Sequence, residues 1–177
     1  RAPGSHMVKR IVEGLVDADE ARGANMAKTY GRVMPEGFGL EGVIEIKEFM
    51  SPVKASGILR AVRGKVIANE DLLNKDLFGY TILDSVKAIL ELTVEEFHRI
   101  YGMSSERALV FTHVSSGRSP FIAIKVSSLK PGMVVLHGLD KVDPLGIKIA
   151  ERERIPVVLS TIEDIDELTE SLRRNTS

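Results

Sequence analysis

The sequence predicts an α/β protein: a small, mostly parallel sheet flanked by helices, preceded by a β-containing, Gly-rich amino-terminal extension. Three observations predict it. Met133–Leu136 is apolar without alternation, as a strand covered on both faces must be. Asp143–Arg154 sets Leu145, Ile147, Ile149 and Ala150 among Lys148, Glu151, Arg152 and Glu153, a helical mixture. Ile155–Leu159 is a second apolar run, entered through Pro156. Two buried strands joined by a helix are normally parallel, with a right-handed crossover. Ligands of such sheets sit beyond the carboxyl ends of the strands. Those ends are His137-Gly138 and Ser160-Thr161.

The remaining elements follow in chain order. Residues 1–7 (RAPGSHM) read as a residual expression tag. Residues 8–50 form the extension, in which Ile11–Val16 suits a short strand or a helical turn. Ala18–Tyr30 has helical composition broken by Gly23, and Pro35–Gly42 is loop because Gly37, Gly39 and Gly42 break any element. Val43–Phe49 alternates apolar and charged residues, a half-exposed strand. The chain divides near Met50-Ser51-Pro52, and residues 51–177 form the principal domain.

Within that domain Val53–Val62 predicts a helix and Lys65–Ala68 a strand. Asn69–Leu73 is a turn or a helical turn capped by Asn69, and Gly79–Leu83 is a strand. Asp84 caps a helix over Ser85–Leu92. Thr93 with Glu96 makes a capping box for Thr93–Tyr101. Ala108–Val114 and Phe121–Val126 read as strands joined by Ser115–Pro120. The closing helix sets Ile162, Ile165, Leu168 and Leu172 on one face. Its acidic start and Arg173-Arg174 end suit the helix dipole.

Composition narrows the function classes. A net charge of −1 gives no global basic field for nucleic acid. No apolar run reaches the roughly 18 residues of a membrane span, so no membrane partner is expected and a cytoplasmic location is. With no Cys, disulfide and thiolate chemistry are excluded. The absence of Gln and Cys beside 28% charged residues fits a thermophilic source.

Two segments carry a family resemblance. Arg63–Ser85 reads RGKVIANEDLLNKDLFGYTILDS, and the closing part contains MVVLHGLDKVDP and AERERIPVVLST. Together, over about residues 52–172, they resemble DRTGG domains and the related amino-terminal domain of bacterial HPr kinase/phosphorylases. The motif that names the DRTGG family is absent, and its double-Gly turn is here His137-Gly138-Leu139. The resemblance implies a non-catalytic regulatory or ligand-sensing domain, oligomeric and attached to another module.

Candidate chemistry sits at strand ends. Ser115, Ser116, Gly117, Arg118 and Ser119 offer hydroxyls, backbone N–H groups and a guanidinium suited to an anion. The plainer reading is a polar hairpin loop between two strands. His137, Gly138 and Thr161 are expected to line the crevice. His113 and His137 end predicted strands, and if those strands are neighbours both imidazoles could face one crevice as structural, pH-sensing or metal-binding groups. No metal-ligand spacing supports the last, and no cofactor is identifiable. Glu41, Glu45 and Glu48 alternate with apolar residues and read as the wet side of a sheet.

Thr93–Val114 has the outline of a helix-turn-helix. Its second half, Ala108-Leu109-Val110-Phe111, is apolar and suits a buried strand better than a DNA reader. No nucleophile elbow or GxGxxG marks an enzyme. The function expected is a regulatory domain sensing a small anionic metabolite or nucleotide, as a homo-oligomer. The alternatives are a transcription regulator, binding DNA directly or through a segment outside this chain, and an oligomeric interaction module without ligand.

Overall fold

The computed structural model describes residues 40–176. The readings of the tag, of Ile11–Val16, of Ala18–Tyr30 and of Pro35–Gly39 lie outside the described residues. The remainder is an α/β sandwich around one six-stranded sheet. Its strands are β1 (Val43–Lys54), β2 (Gly64–Ala68), β3 (Asp76–Asp84), β4 (Ala108–Thr112), β5 (Met133–Leu136) and β6 (Val157–Ser160). Its helices are α1 (Ala55–Ala61), α2 (Ser85–Glu91), α3 (Val94–Arg99), α4 (Ser119–Val126), α5 (Pro144–Glu153) and α6 (Ile165–Asn175). The order across the sheet is β1-β3-β4-β5-β6-β2. β3 to β6 are parallel, and the edge strands β1 and β2 run antiparallel to β3 and β6. The division expected near Met50-Ser51 falls inside β1.

The central strands are apolar throughout because each face of the sheet is covered by helices. Alternate residues enter different cores. Leu109, Phe111, Val134, Leu136, Val157 and Leu159 pack with α2, α3, α4 and α5. Ala108, Val110, Met133, Val135 and Val158 pack with α1 and α6.

Local signals set most boundaries. Asp84 caps α2 by accepting from the Lys87 N–H at 3.0 Å. Thr93 and Glu96 complete the capping box of α3. Asn69 caps a different element from the one expected. Its side chain donates to the carbonyls of Ala150 and Ile155, closing the end of α5 rather than the turn it precedes. The helix predicted from Val53 begins at Ala55, because Val53 and Lys54 pair with Leu77 and Asp76 to finish β1.

One expectation is corrected, and the outline of a helix-turn-helix gives way, as its apolar second half indicated, to a buried strand. Phe121–Val126 is not a strand but most of α4, with Pro120 in its first turn. Phe121, Ala123 and Ile124 are all buried, so the helix lacks a clear polar face and its sequence mimics a strand. The stretch from Thr93 to Val114 is not a helix-turn-helix: α3 is followed by β4, every residue of which is buried.

At the amino ends of the parallel strands a charged network is sealed in. The Arg107 side chain has no exposure, and it pairs with Glu48 of β1. It also donates to the carbonyls of Ser104 at 2.7 Å and Tyr80 at 3.2 Å. Burial lowers the guanidinium pKa, and Glu48 opposes that shift. Gly79 makes room for this: a Cβ there would lie 2.5 Å from the Lys47 carbonyl and 2.9 Å from the guanidinium. Glu45 is not on a wet face either. It is 5% exposed and accepts from the Tyr80 hydroxyl and from Nε of Arg173 at 2.8 Å. Burial, followed by the Glu45 carboxylate, raises the Tyr80 pKa.

Candidate functional site

The four parallel strands end together at Asp84, Thr112, Leu136 and Ser160. Beyond them lie three depressions. The first, about 170 Å³, is bounded by Ser85, Val86, Ile89 and Leu90 of α2 and by His113–Gly117 with Ser119 and Pro120. A second, about 840 Å³, lies between Leu40–Ile44, Asp84, Lys87 and α6, and shares His113 with the first. A third, about 470 Å³, lies between the ends of β5 and β6 and includes Lys65.

The loop after β4 is not a hairpin. It runs from a central strand into the amino end of α4, a place where backbone N–H groups point outward unpaired. It is clamped from two sides. The Val114 N–H donates to the His137 carbonyl at 3.1 Å, and the Asp143 N–H donates to the Ser116 carbonyl at 2.7 Å. Gly117 has φ +79°, in the left-handed region that favours glycine, and its carbonyl sits where a Cβ on Gly146 would reach to 2.5 Å.

Ser115, Ser116 and Ser119 are exposed along this loop, and all three line the first cavity with Gly117. The Ser116 hydroxyl accepts from the Arg118 N–H at 3.3 Å. Arg118 does not line this cavity, since its guanidinium donates to Asp143 at 3.0 Å. Asp143 also caps α5, accepting from the Leu145 N–H at 2.8 Å. That backbone bond, with Arg118, holds its carboxyl below the usual range.

His137, Gly138 and Thr161 gather in the third depression, away from the serines. His137 is 5% exposed, and its Nε2 lies 3.0 Å from the Glu163 carbonyl. A carbonyl only accepts, so Nε2 carries the hydrogen there. The buried Nδ1 has no partner among the described residues. The Thr161 hydroxyl donates to the Arg63 carbonyl at 2.7 Å, tying the β6 end to the start of β2.

His113 and His137 therefore do not share a crevice. His137 belongs to the third depression, whereas His113 stands between the first and second. His113 Nδ1 lies 3.0 Å from Oδ2 of Asp84, a partner that sequence reasoning assigned only to capping. Among the described residues no group of three or more His, Asp or Glu could hold a metal ion. No helix among them is long and apolar enough to cross a membrane. The amino end of α4 was also missed, although Ser-Pro before an apolar run is a start signal for a helix.

Comparison with known proteins gives four findings. No family model matches the chain. It is 38% identical over 173 residues to an uncharacterized HTH-type transcriptional regulator of Methanocaldococcus jannaschii, covering 95% of this chain and 71% of that protein. It is 41% identical over 176 residues to an uncharacterized HTH-type transcriptional regulator of Archaeoglobus fulgidus, covering 98% of this chain and 74% of that one. Among solved structures it is similar to the CBS and DRTGG domains of the regulatory region of Clostridium perfringens pyrophosphatase, complexed with its activator diadenosine tetraphosphate. That likeness has a TM-score of 0.47 and 14% identity, over 68% of this chain and 46% of the other. The DRTGG resemblance of the sequence is met again there, at a distance that carries nothing further.

Proposed function

The chain belongs to the family of these two HTH-type transcriptional regulators, and from that premise we propose that residues 40–176 are its effector-sensing part. The domain binds a small anionic metabolite or nucleotide without catalysis and passes its occupancy to a DNA-binding element. Ser115, Ser116, Gly117, Arg118 and Ser119 form the anion cradle, with His137, Gly138 and Thr161 lining the neighbouring depression. Arg118, paired with Asp143, holds the loop of the cradle in place. The DNA-binding element is placed outside residues 93–114, and the chain acts as a homo-oligomer.

The single observation that carries this reading is the loop after β4. It delivers three exposed hydroxyls and the amino end of α4 to a cavity at the carboxyl end of a central parallel strand. The test is native mass spectrometry on gently purified protein, set against its denatured mass, followed by thermal unfolding with candidate acids and nucleotides. A mass excess per subunit, or a ligand-dependent rise in Tm, is expected. If neither is found across that panel, the sensing role is lost.

A second reading, an assembly module without ligand, draws on exposed apolar side chains. Met50 is 93% exposed, Met103 62% and Phe78 43%. A stable integer multiple of the bare chain mass that no small molecule shifts would favour it.

A further inference from the structure

We infer that Asp84 and His113 form a carboxylate-oriented imidazole at the head of the cavity beside Ser115–Gly117, and that this site takes a small monocarboxylate with a short aliphatic body. The inference rests on the sensing role proposed above and narrows its ligand.

The orientation of the ring follows from hydrogen-bond accounting. Nδ1 of His113 lies 3.0 Å from Asp84 Oδ2 and 3.3 Å from Thr112 Oγ1. The Thr112 hydroxyl donates its proton to the Leu83 carbonyl at 3.0 Å, so toward His113 its oxygen can only accept. The Asp84 carboxylate can only accept as well. Nδ1 therefore carries a hydrogen in either protonation state, and the reactive position is Nε2. Asp84 cannot swing away easily, because its other oxygen caps α2 through the Lys87 N–H. Among the described residues nothing reaches Nε2, and the ring is 60% exposed.

The backbone at this residue points the same way. His113 has φ +57°, a conformation that a non-glycine residue seldom adopts and that gathers at functional positions. It turns the chain out of β4 so that the ring stands between two depressions.

The ligand class follows from size and charge. At about 170 Å³ the cavity is below the roughly 300 Å³ at which sites for drug-sized ligands begin, so it does not by itself enclose a whole nucleotide. Val86, Ile89, Leu90 and Pro120 make one wall apolar, while His113 and the serine hydroxyls form a polar pole. Among the described residues no Asp, Glu, Lys or Arg lines it. An imidazolium, the Asp84 carboxylate behind it and the partial charge of a helix end, about half a unit, leave a small net positive charge that attracts one negative charge. They leave a phosphomonoester dianion short, since the loop guanidinium is held by Asp143. The charged groups around His113 on its other side are Glu41, Asp84, Asp166 and Glu170 against Lys87 and Arg173, an acidic balance that repels a second anionic arm. Protonated, Nε2–H donates to the ligand carboxylate while Asp84 balances the ring from behind.

The test is a titration of the full chain with sodium butyrate, followed by the imidazole carbon–proton signals, with potassium phosphate at matched pH and ionic strength beside it. His113→Asn assigns the signal and keeps the backbone, because Asn tolerates the left-handed region. The His113 signal should move saturably with butyrate and not with phosphate, and His113→Asn should abolish butyrate binding. Asp84→Asn, which retains a helix cap, should weaken it about tenfold. A saturable response to phosphate alone overturns the ligand class. Butyrate binding that survives His113→Asn unchanged overturns the role of the ring. If a ligand is retained in the native mass while butyrate leaves His113 unmoved, the sensing role stands and this inference falls.

Discussion

The two ends of the parallel strands are built differently. At the amino ends Arg107 is wholly buried, with every partner supplied by β1, β3 or its own loop. At the carboxyl ends the hydroxyls of Ser115 and Ser119 are exposed and three depressions open. One end joins the edge strand to the sheet. The other offers polar groups that the fold does not consume. Stability and recognition are thus separated along a single sheet, and substitutions at the two ends should have different readouts.

The largest effect is expected at the sealed end. Glu48→Leu strands the buried guanidinium of Arg107 and should cost about 3–5 kcal/mol in denaturant unfolding. Adding Arg107→Met should recover much of that loss, because the unpaired charge goes too. If the single change costs less than about 1 kcal/mol, the two ends differ less than stated.

Tyr80 gives the next effect. Tyr80→Phe removes the donor to the buried Glu45 carboxylate and should cost about 1–2 kcal/mol. It should also change the alkaline limb. Burial raises the pKa of both Tyr80 and Tyr101. Above about pH 10 the folded state therefore binds more protons than the unfolded chain, and stability falls as pH rises. Unfolding free energy measured against pH should fall less steeply there in Tyr80→Phe.

A smaller loss comes from Thr93→Ala, which opens the capping box of α3 and should cost about 1 kcal/mol. The smallest stability effects belong to the open end. Ser115→Ala and Arg118→Ala should stay within about 0.5 kcal/mol of the parent. Both should still weaken any ligand found in the native mass. A large stability loss in either would mean that this loop is structural and the comparison fails.

Local chemistry made much of this legible. The unalternating runs at Met133–Leu136 and Ile155–Leu159 and the caps at Asp84 and Thr93 act within a few residues, and they read correctly. The errors fall where a residue answers to a distant partner. Glu45 looked solvated because its neighbours alternate, yet Arg173 lies 128 positions away and Tyr80 reaches it from β3. Asn69 caps a helix 81 residues on. Phe121–Val126 looked like a strand because a helix buried on most sides loses its polar face.

The site divides the same way. Sequence placed Ser115–Ser119, His137, Gly138 and Thr161 at strand ends, and the structure keeps them there but separates them. The serines share a cavity with α2, whereas His137, Gly138 and Thr161 lie beyond β5 and β6.

By itself the sequence determined the α/β class, the parallel central strands, the starts of α2, α3 and α5 and the absence of thiol chemistry, because apolar periodicity, capping and composition act locally. Only the tertiary structure decided which buried charges are paired, which loop clamps which, and that His113 turns to Asp84 rather than toward His137. Those outcomes depend on strand order, and strand order is set by packing across the whole sheet.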